Sequence, residues 1–441
     1  MGEGMAKHKL LKINQQVNMY VCGPTVYNHL HIGNIRSTIT FDMIKNALIA
    51  TGYDVKYIQN ITDINEKIEA QAIIENTTID HISQKYTDAF LELLNKLNID
   101  YTTNQIKPNT MNIVSIKTKI NQIFNFTKKL IDNGFTYQTN DGIYLKTDLI
   151  NNYGKHVANR DVDQNDKGIR ITNQEKQNEN DFVLFKFTKT NSFKTSFGEG
   201  VPGWHTECAA IIDDEFNSET IDIHGGGVDL KFPHHENESA QYYAANQTLM
   251  AQNWLHNGHL SIDGDKMSKS VGNVILAKDL LNKYSSAQLR LWLASVDFQK
   301  PLNFSAQTLE DFKKVEQKVI ILLSQQQKLP EARLSAEMNE TVKALDFPSL
   351  IDYINQSPKV LNENIDQVIA ILQVLGIKFI PHQLTSEISE MIEKRNQAKL
   401  AKDYQQADKI KNQIKELENG IELIDSQKNG DPVSYILGKL K

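Results

Sequence analysis

Cys22 and Cys208 are the only two cysteines of the chain, and each lies in a loop-like stretch rich in groups that bind metals. Cys22 stands in Tyr20-Val-Cys-Gly-Pro-Thr-Val-Tyr27, and Cys208 closes Pro202-Gly-Trp-His-Thr-Glu-Cys208. Further along, Phe232-Pro-His-His-Glu-Asn-Glu238 concentrates imidazole and carboxylate. Two thiolates with one His and one Glu make a four-coordinate zinc shell. Taken singly, a cysteine is more often a small buried apolar side chain, and a histidine more often packs or faces solvent. The metal reading therefore needs all three stretches to meet in space.

A second constellation suits a polyphosphate. His29-Leu-His-Ile-Gly-Asn34 lies where a strand turns into a helix. A Gly there allows close backbone approach to a nucleotide, and a helix N-terminus offers unpaired N–H groups with positive potential. His31 adds a charged donor. Far downstream, Asp263-Gly-Asp-Lys-Met-Ser-Lys-Ser-Val-Gly-Asn273 places Lys266 and Lys269 three apart among serines and glycines. Such a cationic loop can hold triphosphate oxygens while charge shifts toward a leaving pyrophosphate. Two lysines alone read as solvated surface; Lys-Met-Ser-Lys-Ser after a His-Ile-Gly element is much more specific.

These groups need a frame. Met19–Cys22 reads as a strand ending in the turn Gly23-Pro24, Ile32–Ile49 as a helix with apolar residues at Ile35, Ile39, Met43, Ala47 and Leu48, and Val55–Ile58 as a second strand. Strand–helix–strand order predicts a parallel nucleotide-binding sheet with ligands at the strand ends. Ile79–Leu97 and Val114–Asn133 read as further amphipathic helices. From Gly134 to Gly200 short strands (Gly142–Lys146, Phe182–Phe187) and polar loops such as Asn173–Asn180 read as an insertion that splits the sheet domain, which resumes at Thr220–His224. Beyond Pro301 the chain reads as helical, with Leu309–Gln325, Ile365–Leu375 and Glu387–Leu417 as candidates.

The fold class expected is thus α/β, a Rossmann-like parallel-sheet catalytic domain split by an insertion and followed by an α-helical C-terminal region. The segments are 1–133 and 201–255 for the two sheet halves, 134–200 for the insertion, 256–305 for the Lys266–Ser270 region, 306–385 for a helical bundle and 386–441 for the tail. Composition bounds the partners. A net charge of −6 argues against a protein that coats nucleic acid by bulk positive charge, though not against a local RNA-binding surface. No apolar run is long enough to span a membrane, and the N-terminus has no signal-peptide pattern, so the expectation is a cytoplasmic protein without disulfides.

The chain resembles the class I aminoacyl-tRNA synthetases and, within them, the cysteinyl-tRNA synthetases. The likeness rests on Cys22–Tyr27, Asn60-Ile-Thr-Asp-Ile64, Gly203–Cys208, Asp222-Ile-His-Gly-Gly-Gly227, Phe232–Glu238 and Lys266–Ser270, in family order. It implies zinc, one per chain, held by Cys22, Cys208, His234 and Glu238. His234 and Glu238 are spaced i, i+4, so on a helix they share a face, whereas His235 points elsewhere and Glu236 is placed less well. Thr62, Trp204, His205 and His224 resemble residues lining the cysteine pocket, Trp204 having core packing as its plainer role. His31, Gly33, Asn34, Gly226, Asp229, Lys266 and Lys269 resemble the residues around ATP, with His31, Asn34, Lys266 and Lys269 on the catalytic side. The partners implied are ATP with Mg²⁺, L-cysteine and cysteine tRNA, with no DNA and no membrane, and the chain is expected to be a monomer.

Six positions depart from the family pattern. Asn34 stands where a His is usual, Asn28 where an Asp is, Asn65-Glu66 where an Asp pair is, and Phe197 and Val201 where Trp and Arg are frequent. Two rival readings share the motifs: a ligase joining cysteine to glucosaminyl-inositol, and a catalytically silent tRNA- or metal-binding paralogue. The lysine-rich C-terminal helices resemble an anticodon-binding end and favour the tRNA enzyme.

Overall fold

A run such as Val17-Asn-Met-Tyr-Val21 is stable as a strand only where helices cover both sides of its sheet. The computed structural model, which describes residues 15–160, 175–266, 274–326, 328–417, 423–428 and 431–441, places it in that setting. The chain proceeds through β1 (Gln16–Val21), α1 (Ile32–Ala50), β2 (Asp54–Ile61), α2 (Glu66–Ile74), α3 (Ile79–Lys96), β3 (Tyr101–Thr103), β4 (Met111–Ser115) and α4 (Ile120–Asp132). An insertion of five strands follows: β5 (Thr136–Gln138), β6 (Gly142–Leu145), β7 (Phe182–Phe187), β8 (Phe193–Thr195) and β9 (Gly198–Pro202). Then come α5 (Trp204–Glu215), β10 (Ile221–Gly227), α6 (Glu236–Asn246), β11 (Ala251–Asn257), β12 (Leu260–Ile262) and β13 (Asp265–Lys266).

The main sheet is parallel throughout, in the order β11-β10-β1-β2-β4-β3. Strand order reverses between β1 and β10, and ligands of such sheets bind beyond the strand C-termini at that switch. Val21 pairs with Gly225 there, and the N–H of Cys22 donates to the Gly225 carbonyl at 3.1 Å. Helices α4, α5 and α6 bury Ile123, Phe126, Cys208, Ile211, Ala240 and Tyr242 in one cluster with Tyr20, Ile58 and Val114. The insertion forms its own antiparallel sheet, β5-β6-β7-β9-β8.

Two compact units result: one of Met1–Leu280, Asp297–Phe304 and Lys343–Leu345, the other of Leu281–Val296, Ser305–Val342 and Asp346–Lys441. The second is mainly helical and contains Ala306–Ser324, Ile365–Val374, Ser386–Leu400 and Tyr404–Leu417.

Two expectations change. The helix expected over Val114–Asn133 begins only at Ile120, because Met111–Ser115 pairs in parallel with β2 from Tyr57↔Met111 to Ile61↔Ser115. The β-branched Ile113 and Val114 suit that pleated, fully covered position. The C-terminal tail is not purely helical either. Leu423–Lys428 and Asp431–Ile436 form an antiparallel hairpin, whose Leu423 and Ile436 join Ile388, Ile392, Ile410 and Ile414 in a small core.

The buried Arg395 of this tail donates to Asp425 from both guanidinium nitrogens, at 2.5 and 3.1 Å, and Lys399 approaches the same carboxylate at 2.6 Å. The hydrogen bonds from Arg395 hold the Asp425 carboxyl well below the usual range, against the smaller opposing effect of burial. A depressed folded-state value stabilises above the unfolded pKa and loses that contribution as pH falls. Asp425→Asn is therefore expected to cost about 1–2 kcal/mol near neutral pH, discounted for the exposure of Asp425. The gap between variant and parent should shrink below about pH 4. Thermal melts at pH 7 and pH 3 check this; a gap that is constant with pH removes the ion-pair account.

Candidate active site

The turn after β1 sets the first metal-binding group. Asn60, buried at the end of β2, uses its side-chain oxygen to accept from the Gly23 N–H at 2.8 Å and the Tyr20 hydroxyl at 3.1 Å. A Cβ on Gly23 would stand 1.6 Å from the Asn60 carbonyl oxygen, so only glycine lets the chain pass there. Cys22 thereby points into a buried space shared with Cys208 from α5, His234 from the turn before α6, and Glu238 from the first turn of α6.

The four donors converge. The Cys22 sulfur lies 3.8 Å from the Cys208 sulfur, 3.5 Å from His234 Nε2 and 3.4 Å from Glu238 Oε1. Cys208 Sγ is 3.8 Å from His234 Nε2, and His234 Nε2 is 2.7 Å from Glu238 Oε1. Donors at zinc bond lengths around a tetrahedral ion stand about 3.3–3.8 Å apart. The four sulfur distances within the cluster fall in that range, while the His–Glu pair is drawn closer by a hydrogen bond. Burial pushes the Cys22 thiol well up, and its hydrogen bond draws the Cys208 thiol down. Although burial disfavours the imidazolium, Glu238 and Cys208 push His234 up to about 10. The cluster attracts positive charge, and its donor set fits a divalent metal.

Cys22, His224, His235 and Glu238 also lie within reach of one another. That set has one thiolate fewer. His224 Nε2 is moreover 2.7 Å from Glu238 Oε2, the contact by which a neighbouring group orients a ligating carboxylate. His205 Nδ1, 2.8 Å from His234 Nδ1, can orient the His234 ring in the same way. His235 turns to His256, with 2.9 Å between Nδ1 and Nε2.

The other expected residues fall into three places. A cleft of about 820 Å³ is lined by Cys22 and Trp204 at the cluster and by His31, Gly33, Asn34, Asp229 and His259. Trp204 is 41 % exposed and stacks on His234 at 4.2 Å between ring centroids, so it is a wall of the cleft, not core. The amide oxygen of Asn34 accepts the His31 N–H at 3.1 Å, which caps α1 at the cleft wall. Gly227 lines this cleft, whereas Gly226 packs on His235, which a Cβ would meet at 2.9 Å. His205 faces a second cavity of about 590 Å³, shared with Trp204, Glu207, Tyr153 and the insertion strands. Thr62 and His224 line neither cavity: Thr62 donates to Glu207 at 3.3 Å, and His224 backs Glu238. The Lys266 side chain and residues 267–273, Lys269 among them, lie outside the described residues.

Residues 9–314 match the family described as the tRNA synthetases class I (C) catalytic domain. The chain is 34 % identical to the cysteine–tRNA ligase of Malacoplasma penetrans, across 91 % of this chain and 95 % of the relative. It belongs to the cysteine–tRNA ligase family. Similar relatives are the cysteine–tRNA ligases of Brevibacillus brevis, 35 % identical over 90 % of this chain and 91 % of theirs, and Streptococcus thermophilus, 36 % over 93 % of each. Methionyl-tRNA synthetase of Mycobacterium tuberculosis, solved with methionyl-adenylate, shares the fold: TM-score 0.54 and 12 % identity over 82 % of this chain and 89 % of that one. The ligase is thus an aminoacyl-tRNA synthetase of class I. No described helix is long and apolar enough to cross a membrane.

Sequence reasoning passed over Arg36, quoted Asn60 only as part of a motif, and set Glu236 aside as a poorly placed ligand. Each has other polar residues in its own element, so no local contrast marks it. The roles follow only from partners distant in sequence.

Proposed function

We propose that the chain activates L-cysteine with ATP and transfers it to the terminal adenosine of cysteine tRNA, with zinc as the metal of the Cys22, Cys208, His234 and Glu238 cluster. One observation carries this reading: a single cleft runs from Cys22 and Trp204 to His31, Gly33, Asn34 and Asp229. An amino acid held at the first end presents its carboxylate to a triphosphate held at the second. Zinc there supplies a bond to the substrate thiol as thiolate, which serine's hydroxyl cannot match at neutral pH. A pocket of shape alone separates such analogues by roughly a hundredfold, whereas a specific polar contact gives about 10⁴ or more.

The chain's own residues do the rest. Trp204, stacked on His234 at the cleft wall, offers an apolar face to the cysteine side chain. The N-terminus of α1, nineteen residues long, points its positive end at the phosphates, with His31 and Asn34 Nδ2 as donors. Asp229 at the cleft wall suits the ribose hydroxyls. Lys266, the last residue of β13, and Lys269, three residues on, are the cations for the departing pyrophosphate, with Mg²⁺ carried by ATP. In the first step the carboxylate oxygen bonds to the α-phosphorus as the bond to pyrophosphate breaks. A ribose hydroxyl of the tRNA then takes the acyl group and AMP leaves. No side chain is needed as nucleophile; positioning and charge carry the reaction.

The test is ATP–pyrophosphate exchange with cysteine and with serine, followed by acylation of cysteine tRNA. Exchange should require cysteine and be at least about 10³-fold weaker with serine. Absence of exchange removes the reading. Exchange followed by transfer to glucosaminyl-inositol instead of tRNA would select the rival ligase.

A further inference from the structure

Between the two cluster residues His234 and Glu238 stands Glu236, fully buried, at the start of α6. Two residues along a helix is about 200° of rotation, so Glu236 turns away from the cluster its neighbours form. A buried carboxylate persists only where its charge is met by donors. Here the donors are four backbone N–H groups of the insertion. Oε1 accepts from Gly154 at 2.8 Å and His156 at 3.1 Å, and Oε2 accepts from Val157 at 2.8 Å and Ala158 at 2.9 Å. On either side the same segment holds α6 again: the Tyr153 hydroxyl donates to Asn237 at 2.5 Å, and the His156 ring meets Tyr243 edge-on at 6.1 Å.

His234 itself is not held by a regular helical ladder. It lies in a wide helical turn, Lys231–His235, interrupted by the extended backbone of Phe232 at φ −141° and ψ 134°. The first backbone bond after that interruption is at Glu236, whose N–H closes the turn on the Pro233 carbonyl. One helical turn therefore carries His234 before its anchor and Glu238 after it. A small rotation of that turn displaces both donors at once.

We propose that Glu236 is a positioning residue for the metal cluster, a latch that locks the insertion segment Tyr153–Ala158 onto the first turn of α6 and so sets where His234 and Glu238 stand. The inference rests on the metal reading above. It assigns the insertion a task at the cluster: its backbone supplies the donors that hold the metal-binding turn in place. Because Tyr153 also lines the second cavity beside Trp204 and His205, the latch lies next to the cysteine end of the site.

The experiment compares the full-length wild type with Glu236→Gln and Ala158→Pro. Gln keeps the shape but turns an amide NH₂ toward two N–H donors; Pro deletes one donor without touching α6. Three readouts are taken: Zn²⁺ affinity by competition with a chromophoric chelator, the absorption of the Co²⁺-loaded protein, and KM for cysteine against KM for ATP in pyrophosphate exchange. Glu236→Gln is expected to weaken Zn²⁺ binding about 10- to 100-fold, as orienting partners of metal ligands do. It should also alter the cobalt spectrum and raise KM for cysteine while KM for ATP stays within about twofold. Ala158→Pro should weaken Zn²⁺ binding in the same direction by a smaller factor. A folded Glu236→Gln with parental Zn²⁺ affinity and cobalt spectrum overturns the latch. Should Glu236→Gln fail to fold, parental affinity in Ala158→Pro overturns it instead. A wild type that takes up no Zn²⁺ would sink the metal reading as well, which distinguishes the two failures.

Discussion

Cys208→Ser is expected to lose bound metal and cysteine recognition together. Cys208 is buried on α5, 3.8 Å from both the Cys22 sulfur and His234 Nε2. A hydroxyl of nearly the same size leaves the packing intact but supplies no thiolate, so the donor set loses half of its sulfur. The loss of affinity should exceed the 10- to 100-fold typical of an orienting partner. Cysteine activation should fall by at least about 10³ in kcat/KM, and the preference over serine should collapse toward the roughly hundredfold limit of a shaped pocket. The melting temperature measured in excess chelator should change little, because the substitution is close to isosteric. Metal analysis of the purified variant beside its exchange kinetics decides the matter: full metal content in Cys208→Ser withdraws the ligand assignment.

Arg36→Met should be the most damaging single change to the fold around the nucleotide. Arg36 leaves the second turn of α1 and is 2 % exposed. Its guanidinium donates to four carbonyls: Gly258 at 2.8 Å, His259 at 2.6 Å, Phe298 at 3.2 Å and Lys300 at 2.6 Å. Burial lowers its pKa to about 10, which still leaves it charged at neutral pH. Methionine fills much of the volume and satisfies none of the carbonyls. A cost of about 3–5 kcal/mol is expected from the buried acceptors left without donors. The effect should extend to ATP, since these carbonyls flank β12, and the β12–β13 hairpin leads to the Lys266–Ser270 loop. A raised KM for ATP with a smaller change in KM for cysteine is the expected signature. Arg36→Lys should recover only part, because an ammonium cannot fork to four acceptors. A melting temperature within 2 °C of the parent, on the order of 1 kcal/mol or less, would falsify this account.

Half of the parallel sheet, β1, β2 and β10, could be read from the chain as short strand-like runs, the first two flanking a helix with apolar residues at helical spacing. The Met111–Ser115 strand escaped, since a short apolar run beside a helix carries no period of its own and only pairing with β2 declares it. The hairpin at Leu423–Ile436 escaped for the same reason: it is stabilised by Ile388, Ile392, Ile410 and Ile414, which precede it in sequence. At the site, Asn34 looked like a departure that costs a charge. In the structure its side-chain oxygen accepts the His31 N–H and caps α1, a role that residue type alone did not show.

By itself the sequence determined which chemical groups exist: two thiols, an imidazole- and carboxylate-rich turn, and a lysine loop after a His-Ile-Gly element, each tied to residue type and local spacing. Tertiary structure alone decided which neighbours in Phe232–Glu238 do what. His234 and Glu238 face the sulfurs, His235 turns to His256, and Glu236 takes four N–H groups of the insertion. Helical phase separates these roles by about 100° per residue. What lies in each direction depends on strands and loops distant in the chain, which meet only when the sheet closes around its switch point.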